Sequence, residues 1–433
     1  MSIQRYQNNI QSGVEWLGET PSTWTIKRLG YFFDERREKV SDTVFNPLSV
    51  TKNGIVPQLE TAAKSDDGDN RKKVCKGDFV INSRSDRKGS SGASPLTGSV
   101  SLINTVIVPK KDIDIKFAHH LFRSTSFQEE YYRYGKGIVA DLWSTNYSEM
   151  KNISIPVPAL NEQRKIAAFL EDETAKIDKL GAEQEKLIEL LKEKRQAVIS
   201  QAVTNGLDSK VKMKDSGVEW LGNVPEHWEV MTLRRCSSNV QTGGTPSSDS
   251  INNEGEDGLD WYTPGDFTDT LTLGRSIKKI STSLIESSGI KIFPSNSVLI
   301  ISIGGTLGKV GYLNQAASSN QQINAVIPNQ KINGYFLAYS LAIKTEQMKY
   351  LSNASTIGIM NQEKTKEIWV AVPPLEEQFN ITNYLDGITK SLDTLINTCL
   401  ATITLLNERR SALISAAVTG QIDVRNYQPK EVA

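Results

Sequence analysis

The densest group of side chains able to do chemistry lies between Arg71 and Lys88. There Arg71, Lys72, Lys73, Lys76, Arg84, Arg87 and Lys88 are set against only Asp78 and Asp86. Arginine can grip a guanine edge with two parallel hydrogen bonds, whereas lysine acts as a point charge suited to phosphate. Arg84 and Arg87 follow a predicted strand and precede a Ser/Gly-rich loop, which makes them candidate base readers, with Lys72, Lys73 and Lys88 as candidate phosphate contacts. A solvated charged turn fits the same residues. A second group is amidic: Asn320, Gln321, Gln322 and Asn324 stand near Gly304-Gly305-Thr306-Leu307-Gly308-Lys309, where Thr306 and Lys309 add polar contacts. Asn and Gln pair bidentately with adenine, and they also cap internal turns. Gly243, Gly244 and Thr245 could bring backbone close to phosphate or simply form a tight loop.

Other chemistry is missing from the sequence. The Gly304–Lys309 segment fails the GxxxxGK[ST] spacing, and Val310 stands where Ser or Thr would bind magnesium. No Asn-Pro-Pro-Tyr or Asp-Pro-Pro-Tyr methyltransferase motif and no GxGxxG occurs. His119, His120 and His227 have no evident triad or metal partners, and Cys75, Cys236 and Cys399 lie far apart without a CxxC. No catalytic residue, metal ligand or bound cofactor is therefore expected. Fifty basic and fifty acidic residues cancel, which argues against a chain that coats nucleic acid non-specifically. No apolar run approaches the roughly 20 residues of a membrane span, and the opening residues lack a secretory pattern, so a cytoplasmic protein is expected.

The elements that must position these groups are organised by a duplication. Ser12-Gly13-Val14-Glu15-Trp16-Leu17-Gly18 recurs unchanged as Ser216-Gly217-Val218-Glu219-Trp220-Leu221-Gly222, and each copy continues to a matched pair, Pro21 with Trp24 and Pro225 with Trp228. A second repeat, Val157 to Gln163 and Val372 to Gln378, opens a long helical pattern in each half. Because the tryptophans repeat while the intervening regions differ, they are expected to pack or dock against the neighbouring helix rather than to discriminate a ligand. The variable regions, about 30 to 154 and 235 to 369, alternate short apolar runs with Gly, Ser, Asn and Asp clusters, so each reads as a mixed α/β domain.

In the helical regions, positions spaced alternately by four and three give Ile166, Leu170, Glu173, Ile177, Leu180, Gln184, Leu187, Leu191, Lys194 and Val198. The second copy gives Ile381, Leu385, Ile388, Leu392, Leu395, Cys399, Thr402, Leu406, Arg409 and Leu413. A 3.5-residue seam predicts a pair of supercoiled helices, each on the order of 60 Å long. Asn161 or Glu162, and Glu376 or Glu377, could cap their starts; Asn205-Gly206 and Gly420 supply stops. If the copies pair about a pseudo-twofold axis they are antiparallel, with the domains at opposite ends. Ile188, Leu190, Leu400 and Leu405 fall outside the seam and could receive partners or pack on the chain's own domains. A rigid spacer between two different readers suits DNA, whose strands are antiparallel and whose grooves repeat every 34 to 36 Å or so. A scaffold joining domains of unrelated purpose fits the pattern too.

These residues resemble one family closely. Ser-Gly-Val-Glu-Trp-Leu-Gly with Pro21 and Trp24, Val-Pro-Pro-Leu-Glu-Glu-Gln at 372 to 378, Gly243-Gly244-Thr245-Pro246-Ser247, Trp261-Tyr262-Thr263-Pro264-Gly265-Asp266, Ile303 to Lys309 and Asn320-Gln321-Gln322-Ile323-Asn324 are similar to the specificity subunits of type I restriction-modification enzymes. The first helix departs from the pattern at Ala159 and Asn161, where the second copy has Pro374 and Glu376. The resemblance implies target-recognition domains at 1–158 and 209–373, conserved helical regions at 159–208 and 374–423, and a tail at 424–433. It implies a non-catalytic subunit that reads a bipartite, asymmetric double-stranded DNA target. Two methyltransferase subunits and two restriction subunits would join it, bringing S-adenosylmethionine, ATP and Mg. The rival expectations are the recognition part of a fused methyltransferase-endonuclease and a coiled-coil scaffold that reads no bases.

Overall fold

The computed structural model describes residues 4–61, 68–84, 87–137, 143–245, 251–253, 258–281, 290–352 and 358–428. The chain divides into two compact units: residues 1–185 with 400–433, and residues 186–399. This division cuts across the five consecutive segments expected from sequence, because each unit takes part of both long helices. The helices themselves are continuous, Leu160–Asn205 and Leu375–Val418.

The first unit is built on a four-stranded antiparallel sheet in the order Ser91–Ala93, Phe79–Asn82, Asn104–Pro109, Phe33–Glu35. Both faces of this sheet are covered, which is why its central strands read as unbroken apolar runs rather than alternating ones. Phe79, Ile81 and Ile107 enter the main core with Phe122, Phe127 and Tyr131 of helices Ile115–Arg123 and Thr125–Arg133. Val80 and Val106 face the other way, onto Leu48 and Ile55 of the hairpin Leu48–Thr51/Gly54–Pro57.

The second unit repeats this plan with dissimilar residues. Its sheet runs Val310–Tyr312, Val298–Ile301, Ile323–Pro328, Ser237–Thr242, again antiparallel and with the same order along the chain. Val298 and Ile300 join one core with Phe336 and Leu337, while Leu299 and Ile301 join another with Phe267 and Phe293. The following helices are Gly334–Ala342, Thr345–Ser352 and Gln362–Lys366, matching Ile115–Arg123, Thr125–Arg133 and Tyr147–Met150. Two sequences that look unrelated thus adopt one topology.

The repeated motifs build the joints of both units. Trp24 donates its indole N–H to Glu162 Oε1 at 3.1 Å, and Trp228 does the same to Glu377 Oε1 at 3.1 Å. The two carboxylates, expected as helix caps, sit within the first turn and receive these tryptophans instead. Gln163 and Gln378, both fully buried, tie each helix start to its domain. Gln163 accepts from Asp114 N–H at 2.7 Å and donates to the Asp112 and Pro158 carbonyls; Gln378 accepts from Asn333 N–H at 2.7 Å and donates to the Lys331 and Pro373 carbonyls. The stops also match: Gly206 and Gly420 have φ of 77° and 79°, a region only glycine enters freely, and each lies against the tryptophan of its unit. Trp24 and Trp228 are core residues as expected, whereas Trp220 is 48% exposed and stacks obliquely on Tyr350.

Inside the first unit Ile166, Leu170 and Ile177 share a core with Leu413, Ile414 and Ala417, and Asp178 pairs with Arg410 at 2.9 Å. Inside the second, Ile199, Ala202 and Val203 share one with Ile381 and Leu385, and Arg195 pairs with Asp393 at 3.3 Å. In each unit the start of one helix meets the end of the other, so the two segments are antiparallel there. The seam differs from expectation in one regular way. Leu180, Leu187 and Leu395 are 47%, 41% and 51% exposed. Burial falls one residue later, at Thr174, Ile188 and Thr389, with Gly181, Arg195, Ile396 and Arg410 half-buried. The positions at Leu170, Ile177, Leu191, Leu385, Leu392, Cys399 and Leu413 are buried, and Val198, Ile388 and Leu406 half-buried. Counted from Leu170, Ile177, Leu191, Leu385, Leu392 and Cys399 the spacing is four then three, not three then four, which also removes Ile188 from the outward face.

Candidate nucleic-acid interface

In the first unit a cleft of about 640 Å³ opens where the sheet meets the hairpin Leu48–Thr51/Gly54–Pro57. Its polar lining includes Ser49, Lys52, Gln58, Asn82, Arg87 and Asn104. The sheet register explains the two asparagines: Asn82 ends one strand directly opposite Asn104, which begins the next. Asn82 Oδ1 accepts from Arg84 N–H at 3.1 Å, fixing the turn that carries the basic residues. Asn104 is 4% exposed; its amide N–H donates to Ser101, while Oδ1 has no hydrogen-bond partner among the described residues. A buried acceptor left open is expensive unless something meets it. Guanidinium, amide and hydroxyl groups around such an acceptor are suited to hydrogen-bonding a polar, planar ligand edge.

The basic residues singled out by sequence divide sharply. Arg84, Arg87 and Lys88 are exposed, and Arg87 lines the cleft; Ser85 and Asp86 between them lie outside the described residues. Lys88 pairs with Glu129 at 2.5 Å and sits over the Tyr132 ring. Lys72 turns inward: its ammonium donates to the Asn104 carbonyl at 2.7 Å, and burial lowers its pKa. Arg71 is buried on Ser99, with its pKa likewise lowered by desolvation. Lys73 pairs with Glu38 at 2.9 Å and lies over Phe45. Lys72 therefore braces the start of strand Asn104–Pro109, Lys73 is held on Glu38 and Phe45, and neither lines the cleft. Sequence reasoning missed Ser49, Lys52, Gln58 and Asn104; of these only the strand-end asparagine had a signal, as a polar stop to an apolar run.

In the second unit the amide cluster is internally bonded. Asn324 is 1% exposed, donates to Met360 O and Thr365 Oγ1, and accepts from Thr242 Oγ1 at 2.8 Å. It is a core residue, which corrects the expectation that it meets a base. Asn320 donates to Gln322 Oε1 at 3.0 Å and accepts from Gln322 N–H, while Gln321 accepts from Thr245 Oγ1. Gly243 and Gly244 give their N–H groups to Ile323 and Ser319 carbonyls, so neither offers a phosphate nest; Pro246 and Ser247 lie outside the described residues. Thr306 and Lys309 are exposed in the turn between Val298–Ile301 and Val310–Tyr312, a position equivalent to Arg87 and Lys88 in the first unit.

Among the described residues no group of His, Cys, Asp and Glu is arranged to hold a metal ion, and no helix is long and apolar enough to cross a membrane. Cys236 is buried, which pushes its thiol pKa up to about 12 and leaves it inert. A duplicated frame carries two units whose equivalent turns present different side chains, Arg87 and Lys88 in one and Thr306 and Lys309 in the other. The model of the type I restriction modification DNA specificity domain matches residues 21–190 and again 225–405, and the chain belongs to that family. It is a non-catalytic DNA-specificity component.

Relatives agree along different shares of their length. A putative type I restriction enzyme MjaX specificity subunit of Methanocaldococcus jannaschii is 25% identical over 65% of this chain and 62% of its own, so the match spans less than two thirds of that relative. The StySPI specificity subunit of Salmonella potsdam is 22% identical over 81% and 76%, and the MjaVIII subunit of M. jannaschii 24% identical over 94% of both chains. Two solved structures share the fold. A chain from work on complex assembly and conformational transition of the type I R-M system has a TM-score of 0.73 at 20% identity, covering 93% of this chain and 99% of its own. The HsdS subunit from Thermoanaerobacter tengcongensis has a TM-score of 0.53 at 20% identity, covering 93% and 98%.

Proposed function

We propose that the chain reads a bipartite, asymmetric double-stranded DNA target, one half-site per unit, and presents it to two methyltransferase subunits and, in the full complex, two restriction subunits. The observation that carries this reading is the contrast between frame and surface. The Trp–Glu bond and the three Gln bonds recur in both units, while the cleft bearing Arg87 and Asn104 has no chemical copy at Thr306 and Lys309. Identical joints suit two copies of one partner; unlike surfaces suit two unlike half-sites. The long helices, 46 and 44 residues, would pair as a supercoil related by a pseudo-twofold axis and set the gap between half-sites. The target-recognition regions are 1–158 and 209–373 and the helical regions 159–208 and 374–423, with a tail at 424–433. S-adenosylmethionine, ATP and Mg belong to the partner subunits, this chain binding none of them, and the setting is the cytoplasm.

The test is Arg87→Ala in the assembled methyltransferase complex, measured by competition binding against a panel of single-base target variants. Discrimination at one half-site should fall by about 1–3 kcal/mol, the worth of a bidentate base contact, with the other half-site unchanged. Unaltered preference at both half-sites would remove Arg87 from base reading.

A further inference from the structure

Beside the cleft, and sharing Lys52 with it, lies a second cavity of about 390 Å³ lined by Lys52, Lys88, Gly89, His119, His120, Arg123, Gln128, Arg410 and Ile414. Among its described lining residues there is no carboxylate. Lys88 and Arg410 have carboxylates outside it, Glu129 at 2.5 Å and Asp178 at 2.9 Å, and Lys116 on the same helix pairs with Glu171 at 3.0 Å. Arg123 has none among the described residues: Nη1 points at His119 Nε2 at 3.0 Å and Nη2 donates to the Lys52 carbonyl. A partly buried guanidinium without a counter-ion is held at a cost.

The His119 geometry sharpens this. Its Nδ1 accepts the Ala93 backbone N–H at 3.1 Å, so in the neutral ring the proton sits on Nε2. That N–H then faces Arg123 Nη1, and two donors stand 3.0 Å apart with no acceptor between them. Protonation offers no relief. Burial, Arg123 and Arg410 lower the His119 pKa to about 4, and burial, His119, Arg123, Arg410 and Lys116 lower that of His120 to about 3. What the cavity lacks is an anionic acceptor.

We propose that this cavity binds a phosphate group, with Arg123, Arg410, Lys52 and the His119 Nε2–H as its donors. The source is either a phosphodiester of a duplex lying along the adjoining cleft, which rests on the function proposed above, or a free phosphate. An oxygen between Arg123 and His119 would accept from both and turn the donor–donor contact into two charge-assisted hydrogen bonds. Lys52, which lines both cavities, connects the site to the cleft.

The experiment uses the full methyltransferase complex carrying wild-type chain, Lys52→Gln or Arg123→Gln. One arm measures thermal stabilisation by inorganic phosphate against chloride at equal ionic strength, without DNA. The other measures the dependence of DNA affinity on potassium chloride. With a phosphodiester as ligand, each variant lowers the magnitude of the log K against log salt slope by about 0.9 while the half-site preferences stay as in wild type. With a free phosphate as ligand, wild-type complex is stabilised by phosphate, both variants lose that stabilisation, and the slope is unchanged. If the exposed Lys52→Gln and the Arg123→Gln variants match wild type in both arms, the proposal is overturned. Because Arg87→Ala reports base reading separately, a null result here leaves the cleft assignment to be judged on its own.

Discussion

Replacing Gln163 by Leu removes one joint of the frame while nearly preserving volume. The amide is fully buried and makes three hydrogen bonds, to Asp114 N–H at 2.7 Å and to the Asp112 and Pro158 carbonyls at 3.1 and 2.9 Å. Leucine leaves one donor and two acceptors without a partner. An orphaned buried group costs about 1–3 kcal/mol, carbonyls falling at the low end because of their second lone pair, and leucine's apolar burial offsets part of the sum. Asp112 is exposed and the bonds to its carbonyl and to the Asp114 N–H are only part-buried, so the net loss should be about 1–3 kcal/mol. Asp114 also caps helix Ile115–Arg123, accepting from Lys116 and Phe117 N–H, so the damage should be local to that helix start. Amide hydrogen exchange of the purified complex measures this directly: protection at Asp114 and through 115–123 should drop in Gln163→Leu, and Gln378→Leu should do the same at Asn333 and 334–342. A loss under about 1 kcal/mol, or unchanged exchange at Asp114, would refute the view that the repeated glutamine is what fastens helix to domain.

The glycine stops differ in their tolerance. A Cβ on Gly420 would lie 2.2 Å from Pro21 Cδ, whereas on Gly206 the nearest atom is Glu377 Oε1 at 3.2 Å. Gly420→Ala should therefore destabilise more than Gly206→Ala, the former by over about 2 kcal/mol and the latter by about 1, since both share the positive-φ penalty; equal losses of stability in thermal unfolding would contradict the packing described. His119 and His120 have folded pKa values near 4 and 3, below the unfolded 6.5, so the unfolded state binds more protons between these values. Their stability contribution is complete above pH 6.5 and is lost as pH falls towards the folded pKa, at about 1.4 kcal/mol per unit for each ring. Urea unfolding of His120→Gln from pH 7.5 to 5 should show a shallower acid limb than wild type, and parallel curves would refute the assignment.

Much of this architecture was legible because it is written twice. Trp24 and Trp228, Gln163 and Gln378, Gly206 and Gly420 hold the same bonds or packing in both units, and a repeat of seven residues exposes such a frame without any structure. The shared topology was not legible, because Val80 and Leu299 satisfy the same sheet position with different partners and only burial is common to them. The seam was misread by one residue in alternate positions because Leu180 looks better in a core than Gly181, and Leu187 and Leu395 look as good as Ile188 and Ile396 beside them. Helix geometry overrides that preference once Leu170, Ile177, Leu385 and Leu392 fix the phase. The site was the least legible part. Composition made Lys72 and Lys73 look like Lys88, but strand Arg71–Val74 turns Lys72 onto the Asn104 carbonyl and lays Lys73 over Phe45.

The proposed arrangement is two unlike readers on one frame whose helices set the gap. It is tested most directly by methylome sequencing of cells expressing the chain with its methyltransferase subunit. The comparison is between wild type and a variant carrying one extra helical turn, four residues inserted near Gly181. A split, asymmetric methylated motif is expected in wild type, and in the variant the same two half-sites separated by a different gap. A contiguous motif, or altered half-sites with the gap unchanged, would contradict it.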